Sequence, residues 1–246
     1  MTPMGIVLYL YVERKFKMIG IIGAMPEEVQ ALKDLMIITE ETKIHDIPFF
    51  IGTLENKDVI LMQSGVGKVN AAYSTTLLLE HFQIDALINI GSAGGLNLDE
   101  NVGDVVVGKY VKHHDLDVTA FGRKMGELEG LPKAFEADMH LLKATNKCLE
   151  ELNIPYHVGL IVSGDQFIAR EEQVSKIKLN FKDAMCAEME AASIAHIAYL
   201  YHKPFIILRS LSDIFGKGGN NIQFDEYLKI ASKNSAALCQ KMMRHI

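Results

Sequence analysis

Met18-Ile-Gly-Ile-Ile-Gly-Ala-Met-Pro-Glu-Glu28 passes from an apolar run, through a short turn, to a proline and two glutamates. An apolar run bounded by turn residues reads as a buried strand. Pro26 then suits a first helical turn, where its missing N–H leaves no bond unmade and its fixed φ is already helical. Glu27 and Glu28 fall where the helix dipole favours negative charge. Strand, turn and helix in this order open an α/β unit.

Working outward, residues 48–54 and 58–63 read as strands joined by a polar turn at Glu55-Asn56-Lys57. Gly65-Val66-Gly67-Lys68 leads into a helix over residues 69–81. Residues 86–90 form a buried strand entering a tight turn at Gly91-Ser92-Ala93-Gly94-Gly95, and residues 105–107 add another strand. Periodicity weakens over residues 110–133, and so long an excursion lines a site or an interface. Residues 139–152 read as an amphipathic helix and 157–162 as a strand. Residues 183–187 precede an alanine-rich helical run, 204–208 are a late strand, and 224–243 a terminal helix. Strands alternating with helices define an α/β fold with helices covering a central sheet. Such sheets place ligands beyond the carboxyl ends of their strands.

A chain of 246 residues, 49% hydrophobic, buries a sizeable core as one domain over residues 18–246. Residues 1–17 form an N-terminal extension with three open readings: an edge element, an arm, or an upstream start. The apolar stretch 6–12 within it is too short to span a bilayer, and its basic residues follow it, unlike those of a signal peptide. The 25 basic and 31 acidic residues give a net charge of −6 with the cations dispersed, which disfavours a nucleic-acid partner. Cys148, Cys186 and Cys239 are widely spaced and suit a reducing, cytoplasmic setting.

Acidic residues follow three apolar segments: Glu28; Glu188-Met189-Glu190; and Asp213 in Arg209-Ser210-Leu211-Ser212-Asp213. At one rim of a sheet they would build a pocket around several carboxylates. Each has two readings. Glu28 is either an ordinary first-turn acid or a base that orients and deprotonates water. Glu190 is either a solvent-facing cap or a buried carboxylate whose partners are ligand hydroxyls. Asp213 is either a cap at a strand-to-helix junction or an acid whose proton affinity is raised in a protected cleft. Phe121, Phe167 and Phe224 are core residues or rings that stack on a planar base. His113-His114-Asp115 with Asp117 imitates a metal cluster, but adjacent histidines diverge and no metal motif is present, so no metal is assigned. Neither GxGxxG nor GxxxxGK[ST] occurs, so no nucleotide cofactor is assigned.

These segments, with SGVGKVNAA (64–72), NIGSAGG (89–95), HDLDVTAFG (114–122), GLIVSGDQFI (159–168) and EMEAASIAH (188–196), resemble the 5'-methylthioadenosine/S-adenosylhomocysteine nucleosidases of the nucleoside phosphorylase-like superfamily. The resemblance runs over residues 18–243. It implies a three-layer phosphorylase-like fold, a central mixed twisted β-sheet flanked by helices. It also implies hydrolysis of the N-ribosidic bond without a cofactor, on small adenine thionucleosides. Glu28 would activate water and Asp213, positioned with Ser212, would protonate adenine at N7. Glu190 would hold the ribose hydroxyls beside Met189, with Ser92 nearby, while Phe167 and Ile168 would recognise adenine. Met25, Val66 and Phe224 would line the thioalkyl channel, completed by Val118 and Phe121 of a second subunit in a homodimer. Pro26 stands where the family often carries an acidic residue. Glu27 and Glu28 would oppose a phosphate there, which favours water as nucleophile. The resemblance further implies methionine salvage in a bacterial cytoplasm.

Overall fold

The computed structural model describes residues 16–217 and 220–246, without the side chains of residues 220–226 and 229. Residues 1–15 of the extension lie outside the described residues. Phe16 is buried in the core, and Lys57 Nζ donates to its carbonyl at 3.1 Å.

That first strand, β1 (Met18–Gly23), is followed by α1 (Pro26–Lys33), as the opening stretch predicts. The chain continues through β2 (Ile37–Ile44), β3 (Ile47–Leu54), β4 (Lys57–Gln63), α2 (Lys68–His81), β5 (Ala86–Gly95) and β6 (Val105–His113). After a 3-10 turn at Thr119–Phe121 come β7 (Phe135–Glu136), α3 (Met139–Leu152), β8 (Tyr156–Ser163), α4 (Glu171–Asn180) and β9 (Ala184–Glu188). The last elements are α5 (Ala191–Leu200), β10 (Phe205–Ile214) and α6 (Asn220–Met242).

Among the described residues, ten strands make one mixed sheet in the order β10-β6-β8-β9-β5-β1-β4-β3-β2, with β7 on β6. Because β10 also pairs with β5, the strands β5, β10, β6, β8 and β9 close on themselves, and β1, β4, β3 and β2 extend from the ring. Closure removes edges that would otherwise expose unpaired backbone. The far edge is β2, whose acidic and basic residues face solvent. Its weak apolar character hides it from a reading based on hydrophobic runs. Helices cover the sheet. In α5, buried Ala191, Ala192, Ala195 and Ala198 let the helix approach closely, with α2 beside it.

Two sequence expectations need correction, and both concern the site. Gly91–Gly95 is no turn: β5 runs through it, paired in parallel with β10 and, at Gly94 and Gly95, antiparallel with β9. Likewise Arg209–Asp213 is not a junction leading into a helix but the second half of β10. Glycine here reflects the close approach of neighbouring groups. A Cβ on Gly91 would stand 2.2 Å from Arg209 Nη1 and 3.2 Å from Glu28 Oε1.

Candidate active site

The ends of β1, β5, β9 and β10 surround a cavity of about 260 Å³ lined by Glu28, Glu188, Glu190 and Asp213. Met25, Val66, Ser92, Phe167, Ile168, Met189 and Ser212 also line it. The cavity thus brings together all but three of the residues that the resemblance assigns to the site. Phe224 falls in the first turns of α6, and its side chain lies outside the described residues. Val118 and Phe121 lie away from the cavity of their own chain, and the Phe121 ring is 85% exposed.

Glu28 is buried at the third position of α1. Its Oε2 accepts from the backbone N–H of Ala24 at 2.8 Å and of Met25 at 3.1 Å, and its Oε1 accepts from Ser92 N–H at 3.1 Å. The ordinary role of a first-turn acid is therefore real, and it fixes the carboxylate. A carboxylate oxygen accepts about two hydrogen bonds. With Oε2 filled and Oε1 half filled, Oε1 retains capacity for a water in the cavity.

Asp213 is buried on β10. Its Oδ1 accepts from the Ser212 hydroxyl at 2.8 Å, which also reaches the Ala93 carbonyl at 3.3 Å. Burial pushes the Asp213 pKa above the usual carboxylate value, and the Ser212 hydrogen bond only partly offsets it. Desolvation disfavours the charged form, so this acid keeps its proton to higher pH.

Glu190 precedes α5, and its Oε1 accepts from Gly67 N–H at 2.9 Å. Gly67 has φ +97°, a conformation that favours glycine and aims this N–H across the cavity wall. Burial, then the charge of Glu188, raises the Glu190 pKa to about 7, against the attraction of Arg209.

Beneath these groups lies a network that the sequence reading did not assign. Arg209 is fully buried, and its Nη2 donates to Glu188 Oε2 at 2.5 Å and to Asn89 Oδ1 at 2.8 Å. Its Nε donates to the same Glu188 oxygen at 3.1 Å, and its guanidinium stands 3.8 Å from Glu190 Oε2. Burial opposes the charge on Arg209, but Glu188, Glu190 and Glu28 together hold its pKa above the usual value. Glu188 also accepts from the Ser163 hydroxyl and from the N–H groups of Glu190 at 3.0 Å and Ala191 at 2.8 Å. The signal was present: an arginine in an apolar strand requires a buried anionic partner.

The histidine pair straddles the end of β6, which closes at His113, and the two rings take up different surroundings. His113 meets the rings of Phe135 and His196, and burial lowers its pKa to about 4. His114 instead abuts Gly164, where an added Cβ would stand 2.4 Å from the imidazole. Among the described residues, no cluster of three His, Cys, Asp or Glu side chains is arranged to hold a metal ion.

This fold and cavity define the class first: residues 18–244 match the Phosphorylase superfamily. A 5'-methylthioadenosine/S-adenosylhomocysteine nucleosidase from Oceanobacillus iheyensis is 43% identical over 228 residues, covering 93% of this chain and 99% of that protein. The corresponding Marinomonas protein is 44% identical over 227 residues, covering 92% and 98%. The crystal structure of the Colwellia psychrerythraea nucleosidase with adenine superposes with a TM-score of 0.90 at 42% identity, covering 94% of this chain and 96% of that one. The Neisseria meningitidis nucleosidase with methylthio-immucillin-A gives 0.89 at 38% identity, covering 94% and 100%. The chain belongs to the 5'-methylthioadenosine/S-adenosylhomocysteine nucleosidases.

Proposed function

We propose that this protein hydrolyses the N-ribosidic bond of 5'-methylthioadenosine and S-adenosylhomocysteine. The products are adenine and 5-methylthioribose or S-ribosylhomocysteine. The observation that carries this reading is the gathering of Glu28, Glu190 and Asp213 on one cavity in three different environments. Fixed by three amides, Glu28 is the base for water. Asp213, with its raised proton affinity, is the acid for adenine N7. Glu190 faces the ribose hydroxyls, whose donated hydrogen bonds favour its ionised form.

As the bond breaks, positive charge grows on the sugar and negative charge on the departing base. The carboxylates of Glu28 and Glu190 oppose the first, and the Asp213 proton neutralises the second. Water attacks the anomeric carbon and gives its proton to Glu28. Phe167 and Ile168 flank the base, Ser92 and Met189 the sugar, and Met25 and Val66 the thioalkyl group. Apolar packing suits a thioether, which needs no charged partner.

In this reading a homodimer completes the channel. Phe121 presents a nearly bare ring, which Val118 and Phe121 of one copy would bury against the other. Three free buried cysteines fit a reducing cytoplasm, where the reaction serves methionine salvage and clears by-products of methylation. No described helix is long and apolar enough to cross a membrane.

The test is adenine release from both nucleosides, with and without phosphate. Release in phosphate-free buffer is expected. Release that requires phosphate and yields a sugar 1-phosphate would show the nucleophile to be wrong.

A further inference from the structure

Asp115, in the segment that imitates a metal cluster, belongs to a different construction. Its Oδ1 accepts from Lys68 Nζ at 2.6 Å and its Oδ2 from Asp165 N–H at 3.0 Å. Asp165 Oδ1 in turn accepts from Lys68 N–H at 2.7 Å, closing a triangle between three segments distant in sequence. Two of its corners adjoin the cavity. Gly67, next to Lys68, donates to Glu190 Oε1 at 2.9 Å. Asp165 opens the run Gln166-Phe167-Ile168 that walls the cavity.

The far end of that run is held separately. Gln173 of α4 donates to the Phe167 carbonyl at 3.2 Å and accepts from Ala169 and Arg170 N–H, each at 3.1 Å. The near end is held by Asp165, whose N–H donates to Asp115, alongside the Gln166 N–H, which donates to the Gly164 carbonyl at 2.8 Å. The third corner is anchored where His114 N–H donates to the Ser163 carbonyl at 2.8 Å, and β6 pairs with β8 through His113 and Ser163. Lys68 and Asp115 are each about one-fifth exposed, so the ion pair is partly shielded from water. Burial raises the Asp115 pKa, yet the hydrogen bonds from Lys68 and Asp165 outweigh it and hold the carboxylate below its usual range.

Resting on the nucleosidase reading above, we propose that Asp115 is a positioning residue: with Lys68 it locks the Gly67 amide onto Glu190 and sets the Phe167 wall against the base. Neither side chain lines the cavity. Their loss therefore weakens the fit of sugar and base and spares the groups that move protons.

The experiment compares wild type with Asp115→Asn, Lys68→Met and the double variant, measuring KM and kcat for 5'-methylthioadenosine and the Kd of adenine. Each single change should raise KM and the adenine Kd about tenfold, with kcat within about threefold of wild type. The double variant should match either single change, because both cut one link. Lys68→Arg, which keeps the cation, should recover most of the loss. Unchanged KM in a folded Lys68→Met protein overturns the proposal, as do additive effects or a fall confined to kcat. Should Asp115→Asn fail to fold, Lys68→Met and Lys68→Arg decide the matter alone. A wild type that neither binds adenine nor releases it overturns the functional reading and this inference with it, an outcome distinct from an active wild type with indifferent variants.

Discussion

Replacing Glu190 by glutamine should stabilise the protein above neutral pH and damage its activity. Glu190 is 7% exposed and faces the charges of Glu188 and Glu28, against the attraction of Arg209. Folding raises its pKa from 4.5 to about 7. A carboxyl that holds its proton more tightly when folded contributes stability below its unfolded pKa. That contribution is lost as pH rises through the folded value. The displacement corresponds to on the order of 3 kcal/mol by about pH 8 and nearly nothing below about pH 4.5. A glutamine carries no charge to desolvate, and its amide oxygen still accepts from Gly67. For a domain of this size, 3 kcal/mol is worth roughly 6–12 °C in Tm. Thermal unfolding of both proteins at about pH 4.5 and about pH 8 measures it. The curves should nearly coincide at the lower pH, and the variant should melt higher at the other. Adenine release by the variant should fall at least tenfold, since the sugar loses its carboxylate. A variant that melts at or below the wild-type temperature at about pH 8, or turns over as wild type, refutes the reasoning. Function here would be maintained by an unfavourable concentration of negative charge.

Three further outcomes are expected. Glu28→Gln should retain its fold and its ligand affinity while kcat falls about 10²- to 10⁴-fold, the range for loss of a general base, as single-turnover kinetics would report. In wild type, kcat should decline as pH rises through the elevated pKa of Asp213, because the proton it donates is gone; Asp213→Asn should be slow at every pH and lack that limb. Gly91→Ala would drive a methyl group to 2.2 Å from Arg209 Nη1. With the guanidinium held by Glu188 and Asn89, the change should cost about 1–3 kcal/mol in denaturant unfolding and displace Glu28 enough to lower activity.

Where local chemistry suffices, the chain is legible. Met139–Leu152 is bounded as its amphipathic pattern predicts because Asp138 caps it, accepting from His140 and Leu141 N–H. The opening strand, turn and Pro26 helix follow from steric limits on φ and from the dipole, and Glu28 follows from both. By contrast, α4 and β2 are nearly invisible. β2 has no fully buried residue and is defined by its pairing with β3, while α4 buries only Val174 and Ile177, against Leu96 and Val162.

The amino-acid order by itself determined an α/β chain whose acids stand at strand ends, because apolar period, proline and charge act within a few residues. Only the tertiary structure decided that Gly91–Gly95 and Arg209–Ile214 are strands, since backbone pairing joins residues more than a hundred positions apart. It also decided which carboxylate is which. Glu28, Glu188, Glu190 and Asp213 are chemically near-identical in the unfolded chain. Amides, a buried guanidinium and the loss of water place them in different environments.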